Sequence, residues 1–464
     1  MPDIRYVCLS DLHLGEEDSL LTRLQDGDVD PSRPSPAMIG LADCLRRLVK
    51  ANRDRQKPTL ILNGDILELA LAHDSQAAMV FQRFVELIQP EGDALFDRLI
   101  FIPGNHDHHL WELARETQYA NHIRQHLAPG DPLPEPWHAT NLFVEKDPDL
   151  VISDYLTNLV GQCRNVKHFE IQTAYPNFGL FRNDADRCAI FHHGHFVEST
   201  YQLMSTLKNL TFPGRQQPLQ VWDIEAENFA WIDFFWSTLG RSGDVGQDME
   251  IIYEKMLDRS QFSRLLDTLV QSVRKRYGLR YAFAAFVLRF FLLRKLTGTE
   301  RSKADTLLSG SAGTGLRGYI EGPLREQIML KRATAPVGMT FVFGHTHKPF
   351  QQWMNFSGYP RAVSVYNSGG WVVEGEEALP LHGGAVILLD ESLRAVSLRM
   401  FNERDNPAKY AVQVEAATAG EACPFHQQIK GLVNPSQDPW KAFSDTVARE
   451  VNERIDHLRR RVRR

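Results

Sequence analysis

The sequence predicts an α/β fold built on an at least partly parallel sheet and interrupted by a large helical insertion. Three observations predict it. Over the first 200 residues, short apolar runs alternate with helical patterns, the order expected of strands with helices packed across them. The strand candidates are continuous apolar runs rather than alternating ones, as where both faces of a sheet are covered. Near residue 199 this alternation stops, mainly helical patterns follow, and strand signals return at residue 339.

The elements follow in order. IRYVCLS (4–10) reads as a strand, and PAMIGLADCLRRLVKANR (36–53) as a helix opened by Pro36. TLILNGD (59–65) is a second strand, SQAAMVFQRFVELIQ (75–89) a helix, and RLIFIPGNHD (98–107) a third strand with its exit loop. VKHFEIQTAY (166–175) and RCAIFHHGH (187–195) read as further strands. Helical patterns then cover 221–240, 249–259, 261–278 and 279–298, followed by a Gly/Ser joint, LSGSAGTG, at 308–315. Strand signals resume at 339–347, 351–356, 361–367, 385–390 and 393–401. Residues 199–336 far exceed a usual connection of about 4–6 residues and read as an inserted cap. The expected organisation is a core formed by 1–198 and 337–405, a helical cap at 199–336, and an extension at 406–464. That extension ends in an amphipathic basic helix. Asp438 reads as its N-cap, Pro439 as its first residue, and Phe443, Val447, Val451, Ile455 and Leu458 as one apolar stripe.

The bulk numbers fit a folded chain of 464 residues with a large core, 43% hydrophobic and 24% charged. A net charge of −6 provides no global attraction for nucleic acid, so any basic patch is local. Cys8, Cys44, Cys163, Cys188 and Cys423 are scattered and form no C-x-x-C pair. This argues against a disulfide framework and a thiolate zinc site, and fits a reducing compartment. The opening MPDIRYVCLSD has neither a basic n-region nor a long apolar h-region, so a cytoplasmic location is expected.

Five stretches each place metal-ligand types just after a predicted strand. They are Asp11-Leu12-His13, Gly64-Asp65 with Glu68 close behind, Gly104-Asn105-His106-Asp107, His192-His193-Gly194-His195, and Gly344-His345-Thr346-His347. Strand C-termini of an open α/β sheet converge on the natural place for chemistry. Residues i and i+2 in extended backbone point to one side, so Asp11/His13 and His345/His347 read as two-pronged ligand pairs. Carboxylate, amide oxygen and imidazole without thiolate suit Mn²⁺, Fe or Zn²⁺. The groups are too many for one ion but fit two, about 3.5–4 Å apart and bridged by a carboxylate.

In this order, D-x-H, G-D, G-N-H-D, H-G and G-H-x-H resemble the calcineurin-like metallophosphoesterase superfamily. The resemblance covers residues 1–198 and 337–401. It implies a layered sandwich of mixed sheets flanked by helices, and phosphoester hydrolysis by a metal-bound hydroxide at a dinuclear centre. Mn²⁺ is the expected metal, with Fe or Zn²⁺ as alternatives. By resemblance Asp11, His13 and His347 hold one ion, Asn105, His193 and His345 the other, and Asp65 bridges them. His106 resembles the family's non-ligand histidine, which stabilises the transition state or protonates the leaving group. Asp107 would hold His106 in orientation. His193 fits the H-G block better than its neighbour His192.

The remaining motif residues have plainer readings. His192, His195, His108 and His109 read as packing or surface groups, with substrate contact the alternative. Glu68 reads equally as a group behind the metal ligands or as a helix-start carboxylate. NSGGW (367–371) is a turn or a wall of the site.

The insertion carries Trp222, Phe229, Trp231, Phe234, Phe235 and Trp236, and the helical pattern at 279–298 is apolar nearly all round. Arg289 interrupts it at a cost of about 2.5–3.5 kcal/mol for membrane insertion, which disfavours a span. A buried cap helix or dimer contact, an apolar substrate groove or bilayer contact, and a base-stacking surface for single-stranded nucleic acid remain as readings. The groove reading resembles UDP-diacylglucosamine pyrophosphohydrolases. Those enzymes carry Arg where this chain has His106, and their insert is much shorter. Arg459, Arg460, Arg461, Arg463 and Arg464 complement a helix C-terminus or attach weakly to nucleic acid or to anionic lipid at a membrane's inner face. The expected function is phosphomonoesterase or phosphodiesterase, its substrate selected by the cap. The alternatives are a UDP-sugar-lipid pyrophosphate hydrolase at a membrane surface and a hydrolytically idle metal-binding scaffold.

Overall fold

Fifteen strands and their connecting helices are seen among the described residues of this computed structural model: 2–54, 56–143, 150–212, 220–238, 267, 300–301, 303–417 and 423–462. In chain order the strands are β1 (Ile4–Leu9), β2 (Leu24–Gln25), β3 (Asp28–Val29), β4 (Thr59–Asn63), β5 (Arg98–Ile102), β6 (Val151–Ile152), β7 (Gln172–Thr173) and β8 (Asn177–Arg182). They continue with β9 (Arg187–His192), β10 (Gly338–Phe343), β11 (Phe350–Met354), β12 (Val363–Asn367), β13 (Gly383–Asp390), β14 (Ala395–Asn402) and β15 (Gln413–Glu415).

Two mixed sheets result. The larger has the order β15-β14-β13-β1-β4-β5-β7-β6, the smaller β11-β12-β10-β9-β8, and β2-β3 is a short ribbon. In the first, β1, β4, β5 and β7 run parallel while β13 joins β1 antiparallel. In the second, β10 runs parallel to both β9 and β12. The inner faces pack together through Cys8, Ile61 and Ile100 on one side and Phe191, Val342 and Tyr366 on the other. The outer face of the larger sheet is covered by the helices Pro36–Val49, Asp74–Ile88 and Trp440–Val462. Insertion helices Val221–Ile232 and Gly310–Tyr319 cover the smaller sheet, with Ile224, Leu316 and Tyr319 packed on Phe341 and Val365. The layered α/β sandwich implied by the resemblance is therefore the architecture seen.

Helix placement follows local chemistry. Ser35 caps Pro36–Val49 by accepting the Met38 N–H at 3.0 Å, and Pro36 fixes its first turn. The tail helix begins at Trp440, one residue beyond Pro439. It buries Phe443, Val447, Val451 and Ile455, with Leu458 partly buried beside them, in the core cluster. Buried Arg454 fastens it to the Ser19 carbonyl at 3.0 Å. Arg461 pairs with Glu17 and Arg459 with Asp456, and Arg463 and Arg464 lie outside the described residues.

Two expected elements differ. Of 166–175, only Gln172–Thr173 is strand, because β5 offers it pairing at Ile100 and Phe101 alone. The Gly/Ser stretch 308–315 is not a joint: Ser309 accepts the Ala312 N–H and starts a helix at Gly310. The expected helices at 249–259, 261–278 and 279–298 lie outside the described residues, apart from Asp267. Within the described residues no helix is long and apolar enough to cross a membrane.

Candidate metal centre

The C-terminal ends of β1, β4 and β5 from one sheet, and of β9 and β10 from the other, meet at one edge of the sandwich. Each strand is followed at once by one of the five motif stretches. Asp11, His13, Asp65, Asn105, His193, His345 and His347 are all buried there. Asp11, His13 and His347 offer ligand atoms within 4.8 Å of one another, and so do Asp65, His193 and His345. Asn105 Oδ1 lies 3.1 Å from His193 Nε2.

The backbone reaches this geometry by a different route from the extended one expected. β1 stops at Leu9 and β10 at Phe343. Asp11, His13, Asp65, His345 and His347 all adopt positive φ, from 45° to 68°. Left-handed backbone at non-glycine residues costs of order 1–3 kcal/mol each and persists where the surroundings impose it. Here it is imposed by loop-to-loop hydrogen bonds, Asp11 N–H to the Gly64 carbonyl at 2.9 Å and His13 N–H to the Asp65 carbonyl at 3.0 Å. Gly344 and Gly64 permit the close approach. A Cβ on the first would run into the Asp11 carboxylate, and on the second, at φ +85°, into the His193 ring.

Each ligand-type histidine is held from behind. His13 Nδ1 lies 2.7 Å from Glu68 Oε2, and His193 Nδ1 lies 3.2 Å from the Asn63 carbonyl. His345 Nε2 lies 3.0 Å from Glu198 Oε1, and His347 Nδ1 lies 2.5 Å from Glu374 Oε1. Such acceptors fix the proton on the outer nitrogen and leave the inner one as a lone pair, the usual arrangement behind metal-bound imidazoles. The inner nitrogens then face one another: His13 Nε2 and His347 Nε2 are 3.2 Å apart. His193 Nε2 is 3.1 Å from Asp65 Oδ2, and His345 Nδ1 is buried without a hydrogen-bond partner. Two facing lone pairs and an orphaned ring nitrogen beside carboxylates call for cations, and the donor set fits divalent metal.

The electrostatics agree. Burial penalises the charged form of His193, yet Asp65 and Asp11 outweigh it and raise its pKa to about 9. Burial also opposes ionisation of Asp65, but His193 and His106 hold its carboxyl well below the usual range. His13 is driven the other way, chiefly by burial, to about 4.

The structure corrects one role. Asp107 does not serve as the orienting carboxylate at His106 Nδ1. Its oxygens accept backbone N–H groups of Gly104, Ile66, Asp65 and Leu67, at 2.7, 2.7, 3.2 and 3.3 Å, and so tie two motif loops together. Glu68 sits at His106 Nδ1 instead, 2.8 Å away through Oε1. The same carboxylate serves His13, and it is anchored by the Ala70 and Leu71 N–H groups at 2.8 and 2.9 Å. Glu198 and Glu374 carry no motif signal. The one available cue for Glu68 is its place three residues after Asp65, in the loop that follows β4.

The other histidines separate clearly. His192 points away from the carboxylates and packs against Tyr319, Phe196 and Phe341. His195 Nε2 lies 3.3 Å from the Tyr175 hydroxyl. His108 Nε2 lies 2.7 Å from Glu225 of the insertion, and His109 Nδ1 2.9 Å from Asp233. Burial opposes a charge on His108, but Glu225 overrides it and raises its pKa to about 10. His108, Glu112 and Glu225 form another convergent group. There Arg115 occupies Glu112 at 2.9 Å and the Tyr175 hydroxyl donates to Glu225 at 2.9 Å, so the group is already satisfied as an ionic contact between insertion and core. In NSGGW, Ser368 Oγ contacts Ser10 Oγ at 2.5 Å and the Trp371 N–H donates to the Asp11 carbonyl at 3.0 Å, which makes this turn a wall of the site.

Residues 4–208 match the family model described as calcineurin-like phosphoesterase. The match spans the first four motif stretches, and His345 and His347 lie beyond it. No curated protein matches the chain. Among solved structures it is similar to the phosphopantetheinyl hydrolase of Mycobacterium tuberculosis. That likeness has 14% identity, covers 80% of this chain and 90% of that one, and has a TM-score of 0.23, a level that carries no functional inference.

Proposed function

We propose that the chain is a phosphoester hydrolase working with two divalent metal ions, its substrate selected by the helical insertion, a reading supported by the match of residues 4–208 to the calcineurin-like phosphoesterase family model. Asp11, His13 and His347 would hold one ion, Asn105, His193 and His345 the other, with Asp65 between them. The observation that carries this reading is the set of inward-facing imidazole nitrogens, each clamped from behind by a carboxylate or carbonyl. When bound, two such ions activate a water and neutralise phosphoryl oxygens. Mn²⁺ is the proposed metal, with Fe or Zn²⁺ suited to the same donors.

The chain's own residues supply the rest. Asp65 Oδ1 accepts the His106 N–H at 2.8 Å, which fixes the carboxylate that would serve the ions. Glu68 keeps the His106 proton on Nδ1, so that Nε2 is the nitrogen available for proton exchange with the leaving oxygen. The same carboxylate orients His13, and the acid–base group and the first ion's ligand are thereby set by one side chain. A complete donor set with His106 in place favours a hydrolase over an idle scaffold.

The test is metal-depleted protein reconstituted with Mn²⁺, Fe or Zn²⁺. It is then assayed on mono- and bis-p-nitrophenyl phosphate, oligonucleotides and nucleotide-sugar lipids. Metal-dependent turnover is expected, falling about 10³-fold in Asp65→Asn. A fully loaded protein inert across the panel would return the reading to a scaffold.

A further inference from the structure

One cation already reaches the metal centre, and it comes from the insertion. An Arg301 guanidinium nitrogen lies 3.2 Å from Asp65 Oδ2 and 3.3 Å from His13 Nε2, while its Nε donates to the His345 carbonyl at 3.2 Å. Asp65 is the carboxylate that would serve both ions, and His193 Nε2 also lies 3.1 Å from its Oδ2. The guanidinium therefore stands where the substrate's phosphoryl group would meet them.

The segment that carries it is pinned by the residues that build the site. Buried Lys348, next in sequence to His347, donates to the carbonyls of Glu300, Lys303 and Thr306 at 2.7, 2.6 and 3.0 Å. His382 Nε2 lies 2.9 Å from the Arg301 carbonyl. Glu198, which clamps His345, also accepts the Glu300 N–H at 3.3 Å. These anchors hold the backbone of Glu300 and Arg301 beside the centre, and the guanidinium is held there by the His345 carbonyl and Asp65.

The geometry points to Arg301 as a phosphate-holding residue supplied by the insertion, engaging the non-bridging oxygens of a phosphoryl group at the two-metal centre. The inference rests on the two-metal reading above. With two divalent ions held at Asp65, the charge that Arg301 faces would be neutralised and the guanidinium would turn toward an incoming anion. Glu16, Glu198 and Glu374 also act on the guanidinium, and the further anion that the centre itself would attract is the phosphoryl group. A planar guanidinium matches two such oxygens at once, which an ammonium does not.

The experiment titrates inorganic phosphate into the Mn²⁺-loaded full chain by calorimetry, with metal content and melting midpoint measured on each sample. Arg301→Ala is expected to keep two ions per chain and to weaken phosphate binding about tenfold to a hundredfold. Arg301→Lys, which keeps the charge and most of the side chain's bulk, is expected to restore part of it. Unchanged phosphate affinity in Arg301→Ala with both ions retained would overturn the inference. So would loss of the ions in Arg301→Ala, since Arg301 would then serve to build the centre. A wild-type chain that binds phosphate through Arg301 but hydrolyses nothing would sustain the inference and sink the hydrolase reading. A wild-type chain that takes up no metal would sink both.

Discussion

At the strand ends of the core, the ligand-type side chains are buried and each imidazole is backed by its own acceptor. The insertion meets the same loops differently. Its segment Val221–Ser237 touches the His106–His109 turn through Glu225 on His108, Asp233 on His109 and the Ser237 hydroxyl on the His106 carbonyl at 3.1 Å. Arg301 reaches in from a later part of the insertion. The first region is over-determined: positive-φ residues, close-approach glycines and shared carboxylates fix one arrangement. The second packs its apolar residues on the smaller sheet and meets the motif loops mainly through charged and polar side chains. Ligand-type side chains gathered at strand ends, and insertion residues laid on the same loops, are two contributions that separate substitutions can tell apart.

The largest effect is expected within the core. His106→Ala should cut the turnover rate by about 10²–10⁴-fold with both ions still bound, checked by metal content alongside kinetics. Glu68→Gln should weaken metal affinity about 10–100-fold, because the group that orients His13 is altered, and should slow turnover through His106 as well. Equal metal affinity and rate in Glu68→Gln would mean that the shared carboxylate orients neither ring.

Asp107→Asn sharpens the comparison within the core. An amide nitrogen would face backbone donors where a carboxylate oxygen now accepts them, costing about 1–3 kcal/mol of stability. The expected signature is a lowered melting temperature with a less altered pH–rate profile than Glu68→Gln produces. The reverse pattern would restore to Asp107 the orienting role that the resemblance implied.

The smallest effect concerns the insertion's charge contact. His108 has its pKa raised to about 10 by Glu225, working against burial, from an unfolded value of about 6.5. A raised histidine contributes stability that is complete below the unfolded pKa and is lost as pH climbs through the folded one. The stability gap between wild type and Glu225→Gln, read by denaturant unfolding, should therefore be widest near pH 6, at about 3 kcal/mol, and narrow toward pH 10. Asp233, 3.8 Å from His108 Nδ1, and Glu112 remain on the other sides of the ring and limit the loss. A gap independent of pH would show that His108 is not charged in the fold.

Much of the core is legible in the sequence because the same residues report strand end and ligand type together. Asp11, Asp65, Asn105, His193 and His345 each stand just past an apolar run, and the structure gathers them at one edge. The backbone route was not legible: nothing in D-x-H or H-T-H announces left-handed residues, which the loop-to-loop hydrogen bonds impose. Glu198 and Glu374 were hidden for another reason, since a single glutamate in a loop has no periodicity to mark it. Arg301 is separated from Asp65 by 236 positions and from any motif, so only the folded chain brings it to the centre. The helix His109–His126 was obscured because its apolar residues gather in the first turns, at Leu110, Trp111 and Ala114, rather than along one stripe.

The most direct test of the central claim is anomalous diffraction from crystals of the Mn²⁺-loaded protein. Two peaks are predicted, one on either side of Asp65, the first among Asp11, His13 and His347 and the second among Asn105, His193 and His345. A single peak at that edge, or density only at His108, Glu112 and Glu225, would contradict the account.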